Sequence, residues 1–416
     1  MNFNKLLSGN ITKYQKEGFI MISVGIDVSK GKSTVCIMKP CGEILESPFD
    51  IGHTADELDS LISLIKSFDE ETRVVMEDTG HYHLPVATYL SSHNIFVCCV
   101  NALRMKKFCS QSLRRAKTDK IDSIKIASFG ITYWNELVKA YPSNVIYDEL
   151  KFLARQYYQV TGMLVKSKVN FSNLLDQVMP KINDVLSNQG ENHKLTEFVS
   201  RYIHFQNILD MGEMKFTSDY CKWAKKKGYR LNERKAAEIL ALAQNGIPTL
   251  PNSQSVKIAV SEAVKLIHSI EESRNTILAQ MQDLCNTLPE YSVVKEMDCI
   301  GDTLAPRIIA EIGDVRRFKN KHSLIAYAGI DAPPYQSGAF HASERHISKR
   351  GNSYLRKTGY EIMQSLIKHK PADNAVYNFI QKKRSEGKCG KEAMIAGLNK
   401  FLRVYYGKVM EFYSEH

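Results

Sequence analysis

Two strand-like apolar runs near the start of this chain carry an acid at their far end: Asp27 in VGIDVSK and Glu77 in VVMEDTG. An ionised carboxylate inside an apolar layer is costly unless a cation or a set of donors meets it. The fold therefore has to deliver both strand ends to a place that a positive charge can reach. That requirement constrains the architecture more than any other feature of the sequence.

From Met21 onward the pattern reads as a strand (22–28), a second strand (33–39), a turn at Gly42 and a short third strand (43–48). The capping box Thr54-Ala-Asp-Glu57 then opens a helix with Leu58, Leu61 and Leu64 or Ile65 on one face. Residues 73–77 read as a strand, 83–92 as a helix and 95–100 as a strand, and two further helices end near Trp134. Three antiparallel strands followed by alternating helices and strands is the order of a ribonuclease-H-like α/β domain. In that layout Asp27 ends the first strand and Glu77 the fourth. Asp119 and Asp122, three apart in KTDKID, share a helical face and reach the same sheet edge. Asp78 points to the opposite face and is left out. Four such carboxylates suit two Mg²⁺ ions about 4 Å apart, one activating an attacking oxygen and one stabilising a leaving oxygen. On spacing alone, the acidic pair also fits an ordinary helix N-terminus, where acids are favoured. His81 and His83 flank Tyr82 and can bind a metal or serve as polar loop residues after Glu77.

The middle of the chain changes character. Ile146, Leu150, Leu153, Tyr157, Val160, Leu164, Ser167, Phe171, Leu174 and Val178 alternate in steps of four and three. A second seam runs through Val260, Ala263, Ile267, Ile270, Arg274, Ile277, Met281, Leu284 and Leu288. Each is a heptad pattern with one polar member, and Pro180 and Pro289 close them. Ordinary core helices produce one such seam readily. Two matched seams favour a coiled-coil spacer and an oligomer, with shorter helices between about 185 and 250. Beyond Pro289 a compact, mainly helical domain begins, where Met297 to Ala305 joins two helical patterns through Gly301 as in a helix-hairpin-helix. That motif grips a DNA phosphate with backbone N–H groups. The expected division is an extension (1–20), an α/β domain (21–140), a coiled-coil region (141–290) and a C-terminal domain (291–416).

At 416 residues with a 44% hydrophobic fraction, the chain can bury more than one core. Its 56 Lys and Arg against 45 Asp and Glu leave a net charge of +11, which favours polyanionic partners. The nine cysteines are scattered without a CxxC pair, as expected of reduced thiols in the cytoplasm. No apolar run approaches a membrane span, and the first 20 residues lack the apolar core of a secretory signal. Met21 is a candidate start. The positive charge is clustered. Arg104, Lys106, Lys107, Arg114, Arg115, Lys117 and Lys120 lead into the acidic pair and would hold a phosphate backbone across the metal site. Downstream, Ser337 in PPYQSG is followed by His341, Arg345, His346, Lys349, Arg350, Arg356 and Lys357. A serine before glycine is commonly a turn residue. As a nucleophile its hydroxyl needs activation and the phosphate charge needs neutralising, and this cluster can serve the second need.

Taken together, GIDVSK, MEDTGHYHLPVATYL, RRAKTDKIDSIKIA, AEIGDVRRFKNKHSLIAYAGI and QSGAFHASERHISKRGNSYLRK resemble the DEDD-type insertion-sequence transposases of the IS110 family, which includes the Piv DNA invertases. The likeness runs from about Ser23 to the C-terminal helices. It implies a RuvC-like N-terminal domain, a coiled-coil region and a C-terminal transposase domain with a serine nucleophile. By motif, Asp27, Glu77, Asp119 and Asp122 take the metal-binding roles and Ser337 the nucleophile. The family also implies a structured non-coding guide RNA that pairs with double-stranded donor and target DNA; the homo-oligomer, a dimer or tetramer, is the expectation of the two seams. The expected reaction is Mg²⁺-dependent excision and insertion of the chain's own element. A RuvC-like junction nuclease or a Piv-like invertase is the alternative, and a non-catalytic nucleic-acid-binding protein would need only the basic clusters. Asp27 also fits the phosphate-binding strand of actin-like ATPases, but no second phosphate loop follows. The residues before Met21 exceed the family's usual start, and 185–250 depart from its pattern.

Overall fold

The first unit, up to residue 143, is built on a five-stranded sheet in the order β3-β2-β1-β4-β5. Its strands are β1 (Met21–Val28), β2 (Lys32–Met38), β3 (Ile44–Gly52), β4 (Glu71–Glu77) and β5 (Phe96–Val100). The first three pair antiparallel, whereas β4 runs parallel to β1 and β5 parallel to β4. Helices α1 (Ala55–Lys66), α2 (His83–Ser92), α3 (Ala102–Cys109) and α4 (Asp119–Thr132) cover the faces. The computed structural model describes residues 21–78, 80–110, 118–140, 145–187, 193–230, 232–333, 336–337, 340–341 and 346–416. Arg114, Arg115, Lys117, Arg345 and the extension 1–20 lie outside them.

Strand periodicity assigns each side chain to a face. Ile22, Val24, Ile26 and Val28 of β1 join Val35, Ile37, Val74 and Met76 in one core with the apolar stripes of α1 and α2. The alternate residues Ser23, Gly25 and Asp27 face the other way, as do Val75 and Cys36, which pack with residues of α4. The third strand outruns its expected end at Pro48 and continues to Gly52. Pro48 sits where the β2–β3 register shifts between Val35 and Ile37, on the sheet's edge strand. A bulge on an edge is where a missing N–H costs no ladder bond. Thr54 caps α1 as expected, but the Glu57 carboxylate accepts from the Gly52 N–H at 2.5 Å.

The second unit, from residue 144, is helical apart from a small hairpin. Helix α5 (Val145–Val178) has 34 residues. Four short helices and a fifth follow: α6 (Ile182–Val185), α7 (Lys194–Tyr202), α8 (Phe205–Met211), α9 (Glu213–Lys226) and α10 (Glu233–Asn245). Helix α11 (Gln254–Asn286) has 33 residues and packs along α5. Every seam residue on both helices is buried or half-buried. The pair serves two apolar cores. One end of it closes on Phe198, Tyr202, Phe205, Phe216, Tyr220 and Trp223 of the short helices.

The other end closes on α12 (Tyr291–Lys295), α13 (Gly301–Ile312), α14 (Lys321–Ala328), α15 (Ser353–His369), α16 (Ala375–Ser385) and α17 (Gly390–Glu415). Cys299 and Gly301, in the turn between α12 and α13, both have positive φ, 64° and 57°. Helix α13 is buried from Ala305 to Ile312, the charged Arg307 and Glu311 included. Arg307 pairs with Glu361 at 2.6 Å and lies over the rings of Tyr157 and Tyr158. Glu311 meets Arg155 of α5 through both guanidinium nitrogens and accepts from Asn352 Nδ2 at 2.8 Å. Among the described residues no helix is long and apolar enough to cross a membrane.

Candidate catalytic site and nucleic-acid surfaces

Asp27 and Glu77 are neighbours because β1 and β4 are parallel and in register, with Ile26 opposite Met76. The next residue on each strand therefore stands at the same C-terminal sheet end, and both acids are half-buried. They also face the same side as Gly25 and Val75, toward α4.

Two glycines fix that helix. A Cβ on Gly25 would fall 2.2 Å from the Ala127 backbone nitrogen and 2.4 Å from the Ser123 carbonyl oxygen. A Cβ on Gly130 would fall 2.1 Å from Ser23 Oγ. The C-terminal half of α4 thus lies over Ser23, and its N-terminal half over Gly25 at backbone distance. Its first turn is left beside Asp27. Thr118 caps that turn, accepting from the Ile121 N–H at 3.3 Å. Asp122 is half-buried and pairs with Lys125 at 3.5 Å, whereas Asp119 is exposed.

Cys109, the last residue of α3, reports the convergence. Burial pushes its thiol pKa up, Lys125 opposes this, and the charges of Asp122, Glu77 and Asp27 add to it. One side chain therefore feels three of the four predicted acids at once. A cross-strand row extends the acidic edge: Asp27 is opposite Thr34, and Thr34 is opposite Asp50. The Thr34 hydroxyl donates to Asp50 at 2.7 Å. That bond, partly offset by desolvation, holds the Asp50 pKa below its usual range with help from Lys32 and Lys120. Half-buried oxygen donors from two strand ends and a helix's first turn fit a hard divalent cation. Among the described residues, three potential ligand atoms lie within 4.8 Å of one another at His193, His268 and Glu271, and no three of the four acids do so.

Asp78 takes the opposite face and pairs with the buried His83 at 3.6 Å, while His81 is exposed. Sequence reasoning missed Gly25, Lys125, Cys109 and the Thr34–Asp50 pair. The small residues Ser23 and Gly25, alternating with large apolar ones, were the available sign of a close helix.

Gly25→Ala follows as a test of this geometry. Relieving contacts of 2.2–2.4 Å requires α4 to retreat by about 1 Å, which costs about 1–3 kcal/mol. A 1 Å displacement of a reacting group can lower a rate by roughly 10²-fold. Thermal unfolding and strand-cleavage rate are therefore expected to fall together. A wild-type cleavage rate would separate the site from the packing of α4.

The basic residues divide by environment. Lys106 and Lys107 are exposed on α3. Arg104 instead pairs with Glu136 and lies over Phe129 and Tyr133. In the second unit, Ser337 belongs to β6 (Gln336–Ser337), which pairs antiparallel with β7 (Phe340–His341), and its side chain lies outside the described part. The segment bearing this hairpin leaves and returns through a closed stem. The Ser348 N–H donates to the Asp331 carbonyl at 2.8 Å, Lys349 N–H to Gly329 at 2.9 Å and Asn352 N–H to Tyr327 at 2.7 Å. Arg356 is part of that stem, donating to the Ala328 and Gly351 carbonyls at 2.9 and 3.0 Å. Lys349, Arg350 and His346 are exposed. His346 also lines a cleft of about 790 Å³ with Lys388, Lys391, Lys400 and Arg403. These cations form a surface suited to a phosphate backbone.

A family profile described as "Transposase" (DEDD_Tnp_IS110) matches residues 24–180, and one described as "Transposase IS116/IS110/IS902 family" matches residues 291–378. The chain is 21% identical over 299 residues to an insertion element IS110 uncharacterized 43.6 kDa protein of Streptomyces coelicolor, covering 72% of each. It is 22% identical to an insertion element IS116 uncharacterized 44.8 kDa protein of Streptomyces clavuligerus, covering 90% of this chain and 91% of that one. The pilin gene-inverting protein of Moraxella bovis is 26% identical over 136 residues, 32% of this chain and 42% of the relative. Among solved structures, T. thermophilus RuvC in complex with a Holliday junction substrate matches with a TM-score of 0.21 and 10% identity, covering 28% of this chain and 96% of that chain. The strand order, not that slight likeness, defines the N-terminal fold.

Proposed function

Because the chain belongs to the IS110 family of DEDD transposases, enzymes that cut and rejoin DNA, we propose that it excises and inserts its own mobile element. In this reading Ser337 is the nucleophile, and Asp27, Glu77, Asp119 and Asp122 hold divalent metal, two Mg²⁺ ions in the full form. What supports it most is the parallel, in-register pairing of β1 and β4, which brings Asp27 and Glu77 to one sheet end beside the first turn of α4. Bound Mg²⁺ there supplies Lewis acidity to a phosphodiester and charge for its leaving oxygen.

The chain's own groups supply the rest. Asp27 and Glu77 are held by paired strands, so their carboxylates are fixed before DNA arrives. Lys125 holds Asp122 in place. Ser337 Oγ attacks phosphorus, the P–O bond to the leaving deoxyribose oxygen breaks, and that oxygen takes up the proton which serine's base releases. The serine phosphodiester conserves bond energy, so rejoining needs no ATP. Lys106 and Lys107 on α3, with the 114–117 cluster, hold the backbone of double-stranded DNA at element ends and target. The exposed cations around His346 and Lys349 hold nucleic acid in the second unit, with a structured guide RNA as the partner that the family resemblance brings. The turn at Cys299–Gly301 grips a phosphate in helix-hairpin-helix fashion. The paired helices α5 and α11 act as a coiled-coil spacer of a dimer or tetramer working in the cytoplasm.

The test supplies the element's own flanking DNA in cells, traps protein–DNA adducts and identifies the attached residue by mass spectrometry. Wild type is expected to carry DNA on Ser337, and Ser337→Ala to lose both adduct and recombination. Free cut ends without any adduct would turn the reading to a metal-dependent junction nuclease. Full activity of Ser337→Ala would remove the serine from the chemistry.

A further inference from the structure

A second group of ligand-bearing side chains lies in the helical unit, apart from the acids of the sheet. Glu271 of α11 is 9% exposed, and its two oxygens have different surroundings. Oε1 pairs with Lys168 Nζ of α5 at 2.7 Å. Oε2 is buried without a hydrogen-bond partner. Two imidazoles face it. His193, the residue before α7, places Nδ1 3.4 Å from Oε2, and His268, one turn before Glu271 on α11, places Nδ1 at 4.0 Å. Both distances exceed a hydrogen bond, so the carboxylate oxygen and the two nitrogens are gathered without satisfying one another.

We propose that His193, His268 and Glu271 form a site for a divalent transition metal of the zinc class, with two imidazole nitrogens, one carboxylate oxygen and an open fourth position. A tetrahedral ion with ligand bonds near 2.0–2.1 Å sets its ligands about 3.3 Å apart. The His193–Glu271 pair already has that spacing, and the three ligand atoms lie within 4.8 Å of one another. His268 has to close on Glu271 by about 0.7 Å, and the two imidazole nitrogens, within 4.8 Å of each other, must close by up to about 1.5 Å, which rotation of the half-exposed His193 and His268 rings can supply. The rings stand at 67° with centroids 4.8 Å apart, so each can direct a nitrogen to a common point without stacking. Lys168 occupies Oε1 and leaves Glu271 one oxygen to offer, the role of an outer partner that orients a ligand. Two imidazoles select zinc, cobalt, nickel or copper over Mg²⁺, which takes oxygen ligands. A cleft of about 500 Å³ lined by His268, Ser269 and Glu272 gives the ion access. A bound ion would clamp the start of α7 onto the pair of long helices, joining the short-helix layer to its support.

The experiment strips full-length protein of metal and titrates it with Co²⁺, reading the visible absorption that a four-coordinate ion shows strongly and a six-coordinate oxygen site weakly. Wild type is expected to develop the strong bands and to retain about one Zn²⁺ per chain after gel filtration. His193→Ala, His268→Ala and Glu271→Gln are each expected to lose the bands and to bind Zn²⁺ at least 10–100-fold more weakly. Asp27→Asn and Asp122→Asn are expected to keep them, which separates this ion from any held by the sheet acids. Circular dichroism of the His268→Ala variant checks that its fold is intact. Wild type without the four-coordinate spectrum, or bands that survive in the His193→Ala/His268→Ala double variant, would overturn the proposal.

Discussion

Asp27→Asn, Glu77→Gln and Asp122→Asn are each expected to slow DNA strand cleavage by roughly 10³-fold, the equivalent of several kcal/mol of transition-state stabilisation from a metal-held charge. The amides keep the shape of the acids, so the backbone contact between α4 and Gly25 is undisturbed. A loss of cleavage with the thermal midpoint little changed would therefore report on the chemistry and not on the fold. Asp119 stands exposed at the start of the same helix, and Asp119→Asn is expected to cost less, roughly 10-fold. Single-turnover cleavage in Mg²⁺, read beside the thermal midpoint, checks each variant. An amide variant with wild-type cleavage would exclude that acid from the site.

Local signals carried much of this architecture. The alternation of apolar and small residues in β1 marks both its faces, the helix over His83–Ser92 falls where the pattern puts it, and Thr118 caps the helix that bears the acidic pair. The steps of four and three found both long helices, because a buried stripe on a long helix leaves a repeating trace. The strand acids were readable for a related reason: a charge at the end of an apolar run contradicts its surroundings. What stayed hidden depends on register between distant segments. Nothing local to Asp50 announces its row with Thr34 and Asp27, which exists only once β3 pairs with β2. Pro48 looked like a strand end because its position on an edge bulge is a property of the sheet. His193 and Glu271 belong to different helical segments and meet only when α7 docks on α11. The closed stem beneath the Ser337 hairpin depends likewise on the approach of Gly351 to Tyr327, where a Cβ would fall 2.2 Å from a carbonyl oxygen.

Arg155→Met is expected to destabilise the second unit by about 3–5 kcal/mol, the cost of leaving a buried charge without its counter-ion. Glu311 is fully buried at its side chain, and Arg155 supplies both guanidinium nitrogens to it. Without Arg155, the carboxylate keeps the hydrogen bond from Asn352 Nδ2 at 2.8 Å. Asn352 also caps α15, accepting from the Tyr354 and Leu355 N–H groups at 3.0 and 3.1 Å. The same residue's N–H closes the stem to Tyr327. The buried pair thus ties α5 and α13 to the base of the segment that carries Ser337, and its loss should loosen that segment as well as lower stability. The chain's two tryptophans allow the effect to be localised, since Trp134 lies in the first unit and Trp223 in the second. In a Trp134→Phe background, the urea midpoint read from Trp223 fluorescence is expected to drop sharply for Arg155→Met. Adding Glu311→Gln should restore much of the loss, because the neutral amide no longer buries a charge. If the double variant were no more stable than Arg155→Met, the loss would come from Arg155 packing on the Tyr354 ring, 3.9 Å away, and not from the stranded carboxylate.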